Sequence, residues 1–427
     1  MDKIIRPVRA IQGEIAVSGD KSISHRSLLL GAIAQGRTMV QNLSSAADVH
    51  STRKCLEQLG VPIVATDRGL EIIGTGLYGL KPPNRPLDCG NSGTTMRLLA
   101  GILAAQPFVS QLVGDESLSR RPMMRIIEPL RRMGASIESR PRGLAPLTIA
   151  GNQLTGITYE SPIASAQVKS CLLLAGLYAA GTTTVIEPHL SRDHTERMLM
   201  DFGVSVIRNG MAVSVIGQQR LTGCHVMVPG DFSSAAFFIA AAALVSNSHL
   251  MIRNVCLNPT RTGLLEILQK MGADIQVRQQ HHRSSEPMGD LIVRTASLRS
   301  TAILPERIPS FIDEVPMLAV IATQAHGVTT ATGAAELRVK ESDRLQAVVN
   351  NLRAMGADIT ELPDGFTTHG PQKLHGAHVD SFGDHRIAMA FSIAGLIAEG
   401  ETHVMNSDCV QISMPNFFEI LQEIAVE

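Results

Sequence analysis

The chain has no tryptophan, three tyrosines and an aromatic content of 3%, so it offers few flat side chains on which nucleobases can stack. It also lacks an excess of charge of one sign: 38 Lys and Arg stand against 39 Asp and Glu, a net charge of −1. That balance gives no general attraction to a phosphate backbone, so nucleic acid is excluded as the expected partner and any anion must be met locally. No run approaches the roughly 20 apolar residues that cross a bilayer. The opening Met1-Asp2-Lys3-Ile4-Ile5-Arg6-Pro7 lacks the basic start and the roughly 7–15 apolar residues of a secretory leader. A cytoplasmic protein with no membrane partner is expected. The six cysteines, Cys55, Cys89, Cys171, Cys224, Cys256 and Cys409, stand far apart with no C-x-x-C pair, which argues against a disulfide framework or zinc site and predicts reduced, mostly buried thiols.

Several motifs are present in part only. Gly74-Thr75-Gly76-Leu77-Tyr78-Gly79 matches the dinucleotide pattern, but Leu80-Lys81-Pro82-Pro83 follows where that fold requires a helix. His194-Thr195-Glu196 begins like a zinc deaminase motif without the P-C-x-x-C that completes it. Ser18-Gly19-Asp20-Lys21 matches S-x-x-K without the partner motifs of penicillin-binding enzymes. His281-His282 falls in a polar insertion and reads as surface histidine.

At 427 residues the chain exceeds what one hydrophobic core sustains, and two domains are expected. One short pattern recurs five times, at Leu56 to Ile63, Leu130 to Ile137, Leu199 to Val206, Leu268 to Ile275 and Leu352 to Ile359. Each copy has a leucine four residues before a glycine and a β-branched residue three after it. The glycines lie 69 to 84 residues apart, longer than solenoid repeats of about 20–50, so each copy marks a domain-like unit. The leucine and glycine predict a last helical turn closed by a left-handed C′ glycine, with a strand beyond.

A second recurrence, Ala32 to Thr38, is echoed at Leu177 to Thr183, Ala322 to Thr329 and Leu396 to Thr402, and more loosely after Leu103 and Leu244. Each time an Ala-rich apolar helix passes through a turn into a Thr/Val-rich strand, which makes six units. The last unit ends on a helix, Phe417 to Ile424, with no strand after it, and the N-terminal strand is expected to complete it. Three units then fall in residues 19–230 and three in 1–18 plus 231–427, joined by short hinges near Ser18 and Gly230.

Each of the six apolar helices is preceded by a polar, turn-forming segment. A buried helix start presents unpaired N–H groups and partial positive charge, so several starts converging on one cleft would make an anion site. In Gly19-Asp20-Lys21-Ser22-Ile23-Ser24-His25-Arg26, Lys21 and Arg26 oppose the helix dipole unless an anion meets them. Arg97, and Arg120, Arg121 and Arg125, add cations beside Asn91-Ser92-Gly93-Thr94. Lys340 and Arg344 read as an i,i+4 like-charge pair that needs an anion between them, or screening by Glu341 and Asp343. Gly383-Asp384-His385-Arg386 repeats the device. Asp313, followed by Glu314 and Pro316, reads either as an N-cap or as a base among cations.

These motifs, in this order, resemble the 5-enolpyruvylshikimate-3-phosphate synthase family over essentially the whole chain. Shared segments are Asn91-Ser92-Gly93-Thr94, Arg121-Pro122, Lys340-Glu341-Ser342-Asp343-Arg344 and Asp384-His385-Arg386. Four more mark the class II branch: Gly19-Asp20-Lys21-Ser22, Ser165-Ala166-Gln167-Val168-Lys169, Arg192-Asp193-His194-Thr195-Glu196 and Asn258-Pro259-Thr260-Arg261. The resemblance implies a two-domain inside-out α/β barrel of six βαβαββ repeats, three per domain. It implies an enzyme that joins shikimate 3-phosphate and phosphoenolpyruvate without metal or organic cofactor, and a monomer is expected. Carried over by position, Lys21, Ser22, Arg26, Ser165, Ala166, Gln167, Arg192, Asp313 and Lys340 would hold shikimate 3-phosphate. Lys21, Gly93, Arg121, Gln167, Arg344 and Arg386 would meet phosphoenolpyruvate, with Asp313, Glu341 and Lys21 catalytic.

The chain departs from class I members, which have a lysine near the C-terminus where Gln411-Ile412-Ser413-Met414-Pro415 has none, and Asn in place of Glu336. The nearest enzyme alternative, UDP-N-acetylglucosamine enolpyruvyl transferase, uses a loop cysteine that Gly114-Asp115-Glu116-Ser117-Leu118-Ser119-Arg120 lacks. A non-catalytic sixfold ring around nucleic acid would repeat the same basic residues in each unit, and the six segments differ.

Overall fold

The computed structural model describes residues 2–281 and 284–426. The surface reading of His281-His282 involves His282, which lies outside them. The chain divides into two compact units. A terminal unit comprises Met1–Ser18, Pro229–His281 and Pro287–Glu427, and a central unit comprises Gly19–Val228 and His282–Glu286.

Six helices carry the interior: α1 (Lys21–Ile33), α2 (Gly93–Leu103) and α3 (Ala166–Gly176) in the central unit, and α4 (Phe232–Leu244), α5 (Val315–Ala322) and α6 (His385–Ile397) in the terminal unit. Beyond their first turns they are buried almost all round rather than along one stripe, as helices surrounded by protein are. In α1 every residue from Ile23 to Ile33 is buried, and in α4 every residue from Phe232 to Ala243. Five of the six first turns are closed by side chains. Asp20 accepts from the Ile23 N–H, Ser92 from Thr95, Ser165 from Val168, Asp231 from Ser233 and Asp384 from Arg386, each cap contributing about 1 kcal/mol.

Around the helices lie three sheets per unit. In five of the six repeats the first strand runs parallel to the second and the last two form an antiparallel hairpin; the sixth sheet has three strands, with His378–Asp380 parallel to Thr402–Met405. The sheet of Leu87–Asp88, Val109–Val113, Leu144–Ala150 and Ser136–Arg140 shows this order. Along Leu144–Ala150 the residues Ala145, Leu147 and Ile149 are buried and their neighbours half-exposed, the alternation of a sheet with one face on the core and one on solvent. The first strand of the first repeat is His225–Met227, parallel to Gln35–Gln41. In the terminal unit Lys3–Ile5 pairs antiparallel with Thr402–Met405, and Ala10–Ala16 runs parallel to His249–Cys256.

All five recurrent glycines, Gly60, Gly134, Gly203, Gly272 and Gly356, have positive φ. The Val61 N–H reaches the Leu56 carbonyl at 3.0 Å and the Gly60 N–H that of Glu57, which is the helix-terminating geometry that a residue with a Cβ resists. The strand Gly69–Thr75 is followed by a turn and not by the helix that a dinucleotide motif requires. The six cysteines form no disulfide; four are buried. Among the described residues no helix is long and apolar enough to cross a membrane.

Candidate active site

In the central unit the leading segments of α1, α2 and α3 gather the cations. Lys21, the first residue of α1, places Nζ 3.1 Å from Asp48 Oδ2; the anion that the sequence left unidentified is met in part by this carboxylate. Arg26 lies one turn on and is 3% exposed. Its Nε donates to Thr195 Oγ1 at 2.6 Å, Nη2 to Ser170 Oγ at 2.7 Å and Nη1 to the Ser22 carbonyl at 2.9 Å. Burial pushes its pKa down to about 10, against the pull of Glu196 and Asp20.

Gly93 opens α2 directly after its cap, Ser92. Beside it Arg97 Nη1 donates to Gln167 Oε1 at 2.6 Å, and Gln167 Nε2 donates to Thr94 Oγ1 at 2.9 Å, so the starts of α2 and α3 are tied together. Arg121 donates through Nη2 to Asn91 Oδ1 at 2.7 Å and to Ser117 Oγ at 3.1 Å, which fixes it against the Asn91-Ser92-Gly93-Thr94 segment. Ser165 and Ala166 form the capped start of α3. Arg192, half-buried, follows the buried Ser191 and precedes the helix His194–Asp201. His194, noted for its likeness to a zinc motif, instead sets Nδ1 2.7 Å from Glu286 Oε1.

In the terminal unit a buried guanidinium organises the acids. Arg344, 2% exposed, donates through Nε to Asp384 Oδ2 at 2.7 Å, through Nη2 to Glu341 Oε2 at 2.7 Å and through Nη1 to Asp313 Oδ1 at 3.2 Å. Burial, the largest influence, works against its charge; Asp384, Glu341 and Asp313 outweigh it and raise its pKa. Arg386 approaches Glu314 Oε1 at 3.6 Å, and Glu314 also accepts from Ser233 Oγ.

The structure departs from the sequence-based expectation at two positions. Lys340 and Arg344 are not helical i,i+4 neighbours: the helix begins at Arg344 with Asp343 as its cap, and Lys340 ends the 3₁₀ turn Ala335–Val339, 3.5 Å from Glu336. Asp313 is not an N-cap. It sits in the 3₁₀ turn Ile312–Glu314, and Glu314 occupies the cap position of α5 without a capping bond. The sequence does not mark Arg97 as a partner of Gln167, or Asp48, Asp384 and Glu314 as counter-charges. Arg97 lies four residues after Gly93, one turn along the same face, and that spacing was the one local signal.

Six repeats with interior helices and outer sheets, and cations and carboxylates gathered at the helix starts, define an inside-out α/β enzyme that handles small anions. Residues 5–421 match the family model described as EPSP synthase (3-phosphoshikimate 1-carboxyvinyltransferase). The chain is 50% identical over 420 residues to the 3-phosphoshikimate 1-carboxyvinyltransferase of Bacillus subtilis, covering 98% of each chain. It is 52% identical over 426 residues to that of Synechococcus sp., covering 98% of this chain and 96% of the other. A solved EPSP synthase from Acinetobacter baumannii is similar in structure with a TM-score of 0.90 at 44% identity, covering 100% of this chain and 98% of that one. The chain belongs to the EPSP synthase family.

Proposed function

We propose that the chain transfers the enolpyruvyl group of phosphoenolpyruvate to the 5-hydroxyl of shikimate 3-phosphate with release of phosphate, a step of aromatic amino acid biosynthesis. The observation that carries the mechanism is the pairing of Asp313 and Glu341 with one buried guanidinium. Adding an alcohol across the double bond of an enol phosphate needs a base at the hydroxyl and an acid at the methylene carbon. Asp313 takes the hydroxyl proton as oxygen adds to C2, and Glu341 protonates C3 to a methyl group. In the elimination C3 returns a proton and the C2–O bond to phosphate breaks.

Lys21, Ser22, Arg26, Ser165, Ala166, Gln167 and Arg192, with Asp313 and Lys340, receive shikimate 3-phosphate. Lys21, Gly93, Arg121, Gln167, Arg344 and Arg386 receive phosphoenolpyruvate. The fixed cations stabilise the tetrahedral intermediate and the departing phosphate without reorganising at the moment of reaction. With no lysine in Gln411 to Pro415, phosphoenolpyruvate leans on Arg121, Arg344 and Arg386. The protein acts as a cytoplasmic monomer, which sedimentation of the pure protein and fractionation of its cells would test. Phosphate release assayed with both substrates and with each alone tests the reaction. Release requiring both supports it; release from phosphoenolpyruvate alone contradicts it.

A further inference from the structure

Beneath the start of α3 lies a charged cluster for which the mechanism above has no use. Lys169, in the first turns of α3, is 2% exposed; its Nζ is 2.7 Å from Glu187 Oε2 and 2.8 Å from Glu196 Oε1, both carboxylates also buried. Burial works to lower the pKa of Lys169, and Glu196 and Glu187 raise it overall. Buried ions of this kind add little stability, since apolar residues of similar volume often serve as well or better.

What the cluster touches distinguishes it. Glu187 Oε1 accepts from the Ser165 N–H at 3.2 Å and from Ser191 Oγ at 2.5 Å, and Oε2 accepts from the Ser191 N–H at 3.4 Å. The Lys169 ammonium also reaches the Ser191 carbonyl at 3.4 Å. Ser165 is the cap of α3, and Ser191 immediately precedes Arg192. One carboxylate therefore grips both backbone segments assigned above to the phosphosugar.

We infer that Glu187, held in place by Lys169, is a positioning residue for shikimate 3-phosphate: it sets the first turn of α3 and the Ser191–Arg192 backbone in the spacing that receives that substrate. The inference rests on the assignment of Ser165 and Arg192 to shikimate 3-phosphate. Glu187 touches no reacting atom, so its loss should act on one substrate rather than on the chemical step.

The test compares Glu187→Gln, Ser191→Ala and the direct-contact variants Ser165→Ala and Arg192→Ala, each by steady-state kinetics against both substrates and by thermal unfolding. In Glu187→Gln the KM for shikimate 3-phosphate should rise about 10- to 100-fold, the range for losing a hydrogen bond to a charged group. Its KM for phosphoenolpyruvate and its kcat should stay within about threefold. Ser191→Ala removes one arm without leaving a buried charge unpaired, and should shift the same KM in the same direction by less, which keeps the test decisive should Glu187→Gln fail to fold. A purely structural role lowers the unfolding temperature and the active fraction but leaves both KM values alone, and that result overturns the inference. If Ser165→Ala and Arg192→Ala raise the KM for shikimate 3-phosphate while Glu187→Gln and Ser191→Ala do not, the positioning role fails and the site assignment survives. If the direct-contact variants also have no effect, the assignment itself fails.

Discussion

Replacing Glu341 by Gln separates proton delivery from binding because of the way Arg344 is held. Glu341 gives Arg344 one bond, at 2.7 Å, while Asp384 and Asp313 continue to hold the guanidinium through Nε, Nη2 and Nη1. A glutamine carbonyl can take the place of Oε2. The bond then weakens from charge-assisted to neutral, by about half, which is on the order of 1 kcal/mol. No charge is orphaned, so the cost of roughly 3–5 kcal/mol expected for breaking a buried pair does not arise. Calorimetry should therefore find both substrates bound within roughly tenfold of the parent, about 1.4 kcal/mol. Turnover should fall by about 10²–10⁴ if the proton for C3 comes from this carboxyl. In deuterated water the parent should wash solvent deuterium into the methylene group of phosphoenolpyruvate during turnover, and the variant should not. Deuterium entering at the parent rate would refute Glu341 as the acid and make Lys21 the next candidate.

Arg121→Ala should weaken phosphoenolpyruvate binding by roughly 10- to 100-fold, the worth of a charge-assisted guanidinium contact, and shikimate 3-phosphate binding far less; equal losses in calorimetry contradict the assignment. A Cβ at Gly93 would lie 2.7 Å from Arg97 Nη1, so Gly93→Ala should drive the Arg97 tip off Gln167 and raise the KM for phosphoenolpyruvate about tenfold, about 1.4 kcal/mol. An unchanged KM removes that steric argument. His25, fully buried, has its pKa held well below the ordinary histidine value by burial, then by Lys21 and Arg26. Its neutral form contributes stability that is complete above the unfolded pKa of about 6.5 and is lost as pH falls toward the depressed folded value, by up to about 1.4 kcal/mol per pH unit. Urea unfolding from pH 7.5 to pH 5 should show that slope in the parent and a shallower one in His25→Gln, and equal slopes would discount His25 as the titrating group.

The parts of the fold that were legible are those written in local geometry. A glycine after a leucine at fixed spacing can end a helix in one way, and Gly60, Gly134, Gly203, Gly272 and Gly356 all do so. The Ala-rich helices were legible because no water-facing stripe interrupts them. The site was legible as charge without its partners. Lys21 called for an anion, but Asp48 lies 27 residues away on another helix; Arg344 called for one, and Asp384 is 40 residues on. No periodicity reports a pairing made by tertiary structure. Lys340 was illegible for a smaller reason: an i,i+4 argument depends on where the helix begins, and Asp343 caps it three residues after Lys340.

The six helix starts also indicate how a repeated scaffold comes to carry chemistry. Five use one device, a short Asp or Ser side chain that accepts a first-turn N–H, and the sixth, at α5, does not. There Glu314 stands at the cap position, and its carboxylate turns instead to Ser233 and Arg386. The forgone cap costs about 1 kcal/mol, in part offset by Pro316 in the first helical turn, where the missing N–H is no loss. In exchange Asp313, which a regular start would have used to close the helix, has its carboxylate on Arg344. The local rule is broken at the one start whose acid is assigned the proton transfer, which is where sites that spend stability on reactivity are expected to break it.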